Sequence, residues 1–546
     1  MKRQFIGMMV LSLMVVWGLG GSWQMAYAQQ KPIQIRLGNA MAVPGLDPKD
    51  QTNASALNVS NNLYDTLIYP DPEKKYVPWI AESWKISPDG LKYTFKLKKG
   101  LLFHDGTEIT AEDVVFSMDR ITTMGGNIAT NFKTIKPGST RAPDKYTVEF
   151  NLPDKYPAFM ASLFLFKITN KKLVLENKQP GRYGENGDYG QKFLQTNEAG
   201  SGPFALVEHK HGDYLKGKRF EKYSLTKRQP NSVDEMIYYF IPEMVTMATR
   251  LQKGELDLVD TTIGPSIIRE MKKNPNLVVE EHIWPATWMA VINNKKPPLD
   301  DPYVRKAINY AFNKEMGYKQ ILAGGRPLQG PLPEMLRECK DTYVYPYDLE
   351  KAKAMIKQSK YSADQLKGFK MEFAAVATSE RFKQIGLLFC SNMQEIGLNV
   401  QMRAVRWDDI CQAAQKPETA FHFALNANTA KIPHPVAFLV WFTPEGHGVG
   451  YPMGGIYYSN PKVNELIAQG NEAMDPGNQS SYYCPAQKMI TDDAPVAFGF
   501  ENIAQYPSWR YVKGFKFPTG AQYFEHRFDR YTMDVNDPMF RKNQGW

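Results

Sequence analysis

Cysteine and histidine are scarce in this chain, with 4 and 8 among 546 residues. No two of Cys339, Cys390, Cys411 and Cys484 stand at a metal-ligand spacing such as CxxC, which excludes zinc-ribbon and finger-type folds. The four cysteines allow three complete disulfide pairings, and spacing does not choose among them. A chain of this length fills a core without needing any. There is no GxSxG nucleophile elbow, no HExxH zinc helix and no GxxxxGK[ST] phosphate loop. Basic arms are missing too. Lys and Arg total 66 against 57 Asp and Glu, a net charge of +9, and the signs interleave, as in Glu73-Lys74-Lys75 and Lys216-Gly217-Lys218-Arg219-Phe220-Glu221. That pattern argues against a protein that follows a nucleic-acid backbone. Past the N-terminus the apolar runs resemble Val436 to Phe442, far short of the ~20 residues needed to span a bilayer. Tandem repeats and low-complexity linkers are not found.

What remains is the composition of a large globular protein: 43% apolar and 23% charged residues, with 29 Tyr, 29 Phe and 10 Trp to fill a core. At ~150 residues per domain, the length predicts three to four folding units. The N-terminus has the three parts of a secretory signal. Lys2 and Arg3 supply the positive start, Phe5 to Gly18 the apolar stretch, and Ala26-Tyr27-Ala28 the small-x-small cleavage site. Gly18, Gly20, Gly21, Ser22 and Gln24 interrupt the run before it reaches membrane-spanning length. The expectation is cleavage after Ala28, a mature chain from Gln29, and a soluble exported protein. The first 28 residues hold no cysteine, so no lipid-modified terminus is expected.

Hydrophobic periodicity alternates between strand and helix along the rest of the chain. Ile33 to Leu37 alternates as a strand, and Ala54 to Leu67 carries helical spacing. Ser87-Pro88-Asp89-Gly90 is a turn signature ahead of the alternating Leu91 to Leu97, which predicts a hairpin. Thr110 caps a helix whose first turn holds Glu112 and Asp113, where the helix dipole favours anions. Tyr146 to Phe150 and Glu235 to Phe240 read as strands, and Met244 to Leu251 as a helix. Helices then follow at Val304 to Phe312, Asp348 to Ile356 and Arg381 to Ile396, with strands at Lys370 to Ala375 and Asn399 to Val405. This rhythm predicts βαβ units with largely parallel sheets, and a more β-rich insertion over residues 70–196.

Catalytic candidates are weak. His209-Lys210-His211 would hold a metal only on a strand and otherwise reads as a solvated turn. Gly446-His447-Gly448-Val449-Gly450 lacks the strand-before, helix-after setting of a phosphate loop and reads as a mobile loop. His104, in Phe103-His104-Asp105-Gly106, reads as a hydrogen-bonded structural histidine.

One stretch is more specific: Ala81-Glu82-Ser83-Trp84-Lys85-Ile86-Ser87-Pro88-Asp89-Gly90-Leu91-Lys92-Tyr93-Thr94-Phe95-Lys96-Leu97-Lys98-Lys99-Gly100. Phe103-His104-Asp105-Gly106 and Thr110-Ala111-Glu112-Asp113-Val114-Val115-Phe116-Ser117 follow it. The run resembles the signature of the peptide/nickel family of extracellular solute-binding proteins, family 5, the receptors of ABC importers. The likeness continues in Gly200-Ser201-Gly202-Pro203-Phe204, in Pro298 to Ala311, in Tyr347 to Ala352, in Tyr458 to Val463 and in Asp493-Ala494-Pro495. It implies an α/β, two-lobed periplasmic binding protein of type II-like architecture, with an inserted domain and a ligand cleft between the lobes. Lobe one would comprise residues 29–69, 197–290 and 500–546, the β-rich insertion 70–196, and lobe two 291–499. The hallmark residues are expected to be structural, with Trp84, Tyr93 and Phe95 in a core and Gly90, Gly100 and Gly106 in turns.

In peptide-binding members of the family, an aspartate four residues before a proline pairs with the ligand's amino terminus. Here that segment reads Asn426-Ala427-Asn428-Thr429-Ala430-Lys431-Ile432-Pro433-His434-Pro435. Counting from Pro435 gives Lys431, and counting from Pro433 gives Thr429. Neither is anionic. Lys431 either meets an acidic ligand group in the cleft or faces solvent on a loop. Trp288, Trp407 and Trp441 are candidate wall residues, each with an alternative place in a core. Arg406 offers a bidentate fork for an anion. Asn426 and Asn428 either bond a polar ligand or shape the loop, and His434 either reaches a metal chelate or is structural. The resemblance thus implies capture without catalysis of a peptide, peptide-like or other small acidic solute, by a monomer that engages permease subunits and needs no cofactor or resident metal. A nickel-type chelate receptor is the alternative. Turnover of a ligand would instead mark an exported hydrolase, and lack of saturable binding a chaperone-like envelope protein.

Overall fold

The computed structural model describes residues 31–545, apart from Thr52, 71–75, Asn127, 261–262, 430–431, Asp475 and 516–525. The signal sequence and Lys431 therefore lie outside the described residues.

Strand β1 (Gln34–Asn39) leads into a helix, Ala54–Leu63, and the short pair β2 (Ile68–Pro70) and β3 (Tyr76–Pro78). Periodicity predicts that helix as far as Leu67, but it stops at Leu63, where Tyr64 turns extended. The cause lies just beyond. The Asp65 carboxylate is buried and accepts from Trp79 Nε1 (2.8 Å), Tyr223 OH (3.0 Å) and Ser201 Oγ (3.1 Å). A buried carboxylate must find such donors, and these outweigh further residues of helix.

The inserted β-rich region is an antiparallel sheet of order β4-β5-β7-β6: β4 (Ala81–Ile86), β5 (Lys92–Leu97), β6 (Arg141–Asp144) and β7 (Thr147–Asn151). β4 and β5 form the expected hairpin, with Gly90 at φ 73° closing the turn. The helix Ala111–Met124 begins with a capping box between Thr110 and Asp113.

Among the described residues, eleven strands form one large sheet. Its first half adds β8 (Phe204–Lys210), β9 (Tyr214–Arg219), β10 (Glu235–Phe240) and β11 (Leu258–Val259) to β1. Two long strands come next in the sheet, β12 (Leu277–Ile292) and, near the C-terminus, β17 (Val496–Trp509). Between them in sequence lie β13 (Gly325–Pro327), β14 (Met371–Val376), β15 (Val400–Val405) and β16 (Phe423–Thr429). The order is β15-β14-β16-β12-β17-β11-β1-β10-β9-β8, with β13 also on β17.

The sequence rhythm predicts a largely parallel sheet, and the sheet is mixed. Among the described residues, parallel pairing is confined to β1 with β10 and β11, and to β14 with β15 and β16. The reason is connectivity. β12 carries the chain out of the first half, pairing β16 along its C-terminal stretch, and β17 brings it back to β11, so the two must run antiparallel. Their ladder breaks between Ile283 and Thr287 and between Trp288 and Met289. At the second break a Cβ on Gly499 would meet the Trp288 carbonyl at 2.4 Å, so only glycine fits that bulge.

Buried apolar residues segregate to match. One core is drawn from Ile33 to Leu277 and from Trp509 to Phe540, leaving out the insertion. A second fills the insertion and its flanks, from Leu57 to Ile168, and takes in one distant residue, Ile432. Two more lie on opposite faces of the β12–β14–β16 half, one around Trp288, Phe373 and Phe389, the other around Met289, Phe438 and Phe442. A disulfide joins Cys339 to Cys484, settling the pairing that spacing left open, while Cys390 and Cys411 remain thiols.

Candidate ligand cleft between two strand edges

Parallel strands carry their chain into following helices at their carboxyl ends, and that edge is where open α/β sheets bind ligands. This sheet has two such edges. In the first half, β1 ends at Asn39, whose side-chain oxygen accepts from Ser55 Oγ at 3.2 Å while its buried amide nitrogen has no partner among the described residues. Beside it β11 ends at Val259, and the buried Asp260 carboxylate accepts from the Ala40 amide at 3.0 Å.

In the second half, β14, β15 and β16 end at Val376, Val405 and Thr429. β14 leads to Ser379, whose hydroxyl caps the helix Glu380–Glu395. Arg381, in its first turn, reaches across to donate from Nη2 to the Ile263 carbonyl at 3.3 Å. Ile263 belongs to the core of the first half, so the two edges meet there.

β15 leads to Arg406 and Trp407. The Arg406 guanidinium is exposed and bonded through two nitrogens to Asp409, at 3.1 and 2.7 Å. Trp407 stands edge-on to Tyr451 at 5.6 Å, and Trp441 stacks on the same tyrosine at 5.2 Å. Asn426, fully buried on β16, points its amide toward the Tyr451 hydroxyl, and burial pushes that phenol up to about 12. The Trp441 indole N–H is buried with no acceptor among the described residues. Three half-buried aromatic rings thus surround polar groups that the protein leaves poorly satisfied, an arrangement that suits a ligand with both apolar and polar portions.

Asn428, one pleat further along β16, heads a row across the sheet: it pairs with Thr287 on β12, Thr287 with Glu501 on β17, and Glu501 with Arg326 on β13. Glu501 is buried, which raises its pKa, while the Arg326 guanidinium (2.7 Å) and the Glu334 amide (2.8 Å) hold it in place.

Trp288 packs into the core, with Phe382 at 5.1 Å and Phe500 at 5.9 Å, and its N–H donates to Asn502 Oδ1 at 3.0 Å. His434 is buried edge-on to Tyr483 and accepts from the Val436 amide; burial lowers it to about 4, leaving it neutral. His209 ends up on β8, its ring 6.0 Å from that of His211. The glycine-rich segment is pinned by His447 Nε2 at 2.8 Å from the Tyr458 carbonyl. Cys339, Asp341 and Cys484 come within ligand distance of one another, but the two sulfurs are joined in the disulfide and do not act as thiolate ligands.

Sequence reasoning did not single out Arg381, Tyr451 or Asn39. For Arg381 a signal existed: a cation in the first turn of a helix opposes the dipole and needs another reason to be there. Tyr451 has none, because only the fold brings its loop over β16.

Two α/β halves joined by a pair of crossing strands, with the carboxyl edges of their parallel strands facing one another, define the two-lobed class of binding proteins. Residues 75–449 match the family model described as bacterial extracellular solute-binding proteins, family 5, and the chain belongs to that family. It is 27% identical over 494 residues to the probable D,D-dipeptide-binding periplasmic protein DdpA of Escherichia coli K12, covering 87% of this chain and 91% of the relative. The glutathione-binding protein GsiB of Pectobacterium atrosepticum is 26% identical over 468 residues, covering 83% and 85%. Among solved structures, HbpA2 from Haemophilus parasuis superposes with a TM-score of 0.79 at 22% identity, over 92% of this chain and 100% of that one. NikZ from Campylobacter jejuni, in complex with Ni(L-His), gives 0.73 at 21% identity, over 91% and 99%.

Proposed function

We propose that this protein is the periplasmic receptor of an ABC importer and captures a small peptide or peptide-like acid between its two lobes. The observation that carries the reading is the opposition of the two carboxyl strand edges, which touch through Arg381 and Ile263 beside the crossing strands. A solute lodged there contacts both lobes at once, so it favours the closed arrangement by the difference in its affinity for the two states. The dipeptide- and glutathione-binding relatives support a peptide-type cargo. A metal chelate is less favoured, because His434, the imidazole offered for it, is packed against Tyr483. Lobe boundaries at 29–69, 197–290 and 500–546, at 70–196 and at 291–499 are supported in outline by the segregation of the buried apolar residues, although Leu57 and Leu67 to Tyr69 pack in the core of the insertion and Trp288 to Ala290 and Phe500 in those of the second lobe. Export by the N-terminal signal and work as a monomer complete the proposal.

Native mass spectrometry of protein purified gently from the periplasm tests it. A stoichiometric adduct of a few hundred daltons, released on denaturation and identified as a peptide or peptide-like acid, is the expected result. A protein that carries no adduct and binds no member of a di- and tripeptide library contradicts the peptide reading.

A further inference from the structure

The sequence sets one condition for a metal at His209-Lys210-His211, a strand, and the fold meets it. His209 lies on β8, and His211 stands just past its end in the turn that leads to β9. Residues two apart on a strand share a face. The two imidazoles do come together, with ring centres 6.0 Å apart.

Both nitrogens of His209 are shut off from water, and neither has a partner among the described residues. A neutral imidazole carries one donor and one acceptor, so leaving both unmet is costly. Register explains the covering. His209 pairs with Leu215, and Leu215 with Tyr238, both fully buried, so the imidazole closes the end of an apolar row. His211 is exposed beside it, which leaves that side open to an ion. Burial, with His211 as neighbour, lowers the His209 pKa below 6.5 and keeps the ring in the neutral form that binds metal. The nearby lysines are neutralised: Lys210 is paired with Asp213 at 2.7 Å and Lys216 with Glu235 at 3.0 Å.

The hairpin tip is anchored, because the Phe240 amide at the end of β10 donates to the Asp213 carbonyl at 2.8 Å. The pair therefore sits on the carboxyl edge of the first half. β8 is the third strand out from β1, about 14 Å away at the usual strand spacing, so the pair stands apart from the facing strand ends of the cleft.

We propose that His209 and His211 form a binding site for a divalent first-row transition ion, held by one nitrogen of each ring with water completing the coordination. Imidazole suits copper, nickel and zinc, whereas magnesium and calcium take oxygen ligands. The ion supplies His209 with the partner that the folded chain does not. Its occupancy is independent of any solute between the lobes.

The test uses the untagged mature chain and its variants H209Q, H211Q and H422Q, the last altering a half-buried histidine of the second lobe. Copper(II), nickel(II), zinc and magnesium chlorides are titrated separately by calorimetry in a buffer that does not bind metal. Thermal unfolding without metal checks that each variant is folded; H211Q alters only an exposed side chain and keeps the test valid should H209Q fail to fold. The wild type should bind one copper ion, with nickel and zinc weaker in the order common to imidazole sites and no magnesium. H209Q and H211Q should each weaken copper at least tenfold, and H422Q should leave it unchanged. Electron paramagnetic resonance of the copper form should show nitrogen coupling that H211Q diminishes. A wild type that binds none of the three transition ions overturns the proposal. So does a folded H209Q or H211Q that binds copper as tightly as wild type, because the ion then lies elsewhere.

Discussion

His104 is the residue whose chemistry reads most directly from its surroundings. Its two ring nitrogens face two acceptors, the Glu198 carboxylate at 2.6 Å and the Gly202 carbonyl at 2.8 Å. Both nitrogens donate only in the imidazolium. Burial opposes the charge, but Glu198 and the Gly202 carbonyl outweigh it, and the pKa is raised above 6.5. A raised folded-state pKa gives stability that is complete below the unfolded value of about 6.5 and is lost as pH climbs through the folded value. We therefore expect H104N to be less stable than wild type by about 1.5–3 kcal/mol at pH 5.5, the range for a hydrogen bond to a charged group. The gap should shrink by pH 9, as denaturant titrations at the two pH values would show; a gap that widens with pH would refute the assignment. At this scale the hallmark residues were legible in the sequence. Tyr93 and Phe95 are buried, whereas Trp84 is only half-buried and packs against the edge of their core, and Gly90, Gly100 and Gly106 sit at φ 73°, 73° and 87°, where glycine avoids the Cβ strain. Arg381 was not legible as a cleft residue, since only the fold brings its guanidinium to the Ile263 carbonyl of the other lobe.

Among the elements, the strands and helices fall within a few residues of where periodicity puts them, because alternation and caps are local properties. The reach of the two crossing strands is not local. β12 and β17 pair over most of their lengths although the chain between them makes up most of the second lobe, as at Val278 with Ser508, and no local pattern reveals such a partner. Trp407, Trp441 and Asn426 are each visible in the sequence as candidates, but their gathering around Tyr451 depends on a loop that returns over β16. The disulfide likewise joins elements 145 residues apart in sequence, tying the segment around Glu338 to the helix Pro476–Asp493, where Ser480 Oγ also donates to Glu338 at 2.6 Å. Removing a native cross-link over so long a loop costs about 2–5 kcal/mol. The double variant C339A/C484A should unfold at lower denaturant, and reduction of the wild type should have the same effect. Equal midpoints with and without reductant would show that the bond does not constrain the folded chain.

For the molecule as a whole, the two lobes and the insertion touch at more than the hinge. Ile432, from the loop after β16, is buried in the core of the insertion, and Met474 lies against Gly90. Together with the Arg381–Ile263 bond, these contacts hold the second lobe against both the first lobe and the insertion, as a closed form requires. Opening would expose Ile432 and separate the facing strand edges, at a cost that a bound solute raises further. A receptor of this kind works by closing on its solute, and small-angle X-ray scattering tests that most directly. Protein stripped of solute by unfolding and refolding should have a larger radius of gyration than the present structure. Adding the solute recovered from native protein should return it to the value calculated for this closed form. Saturable binding with no change in the radius of gyration would contradict capture by closure.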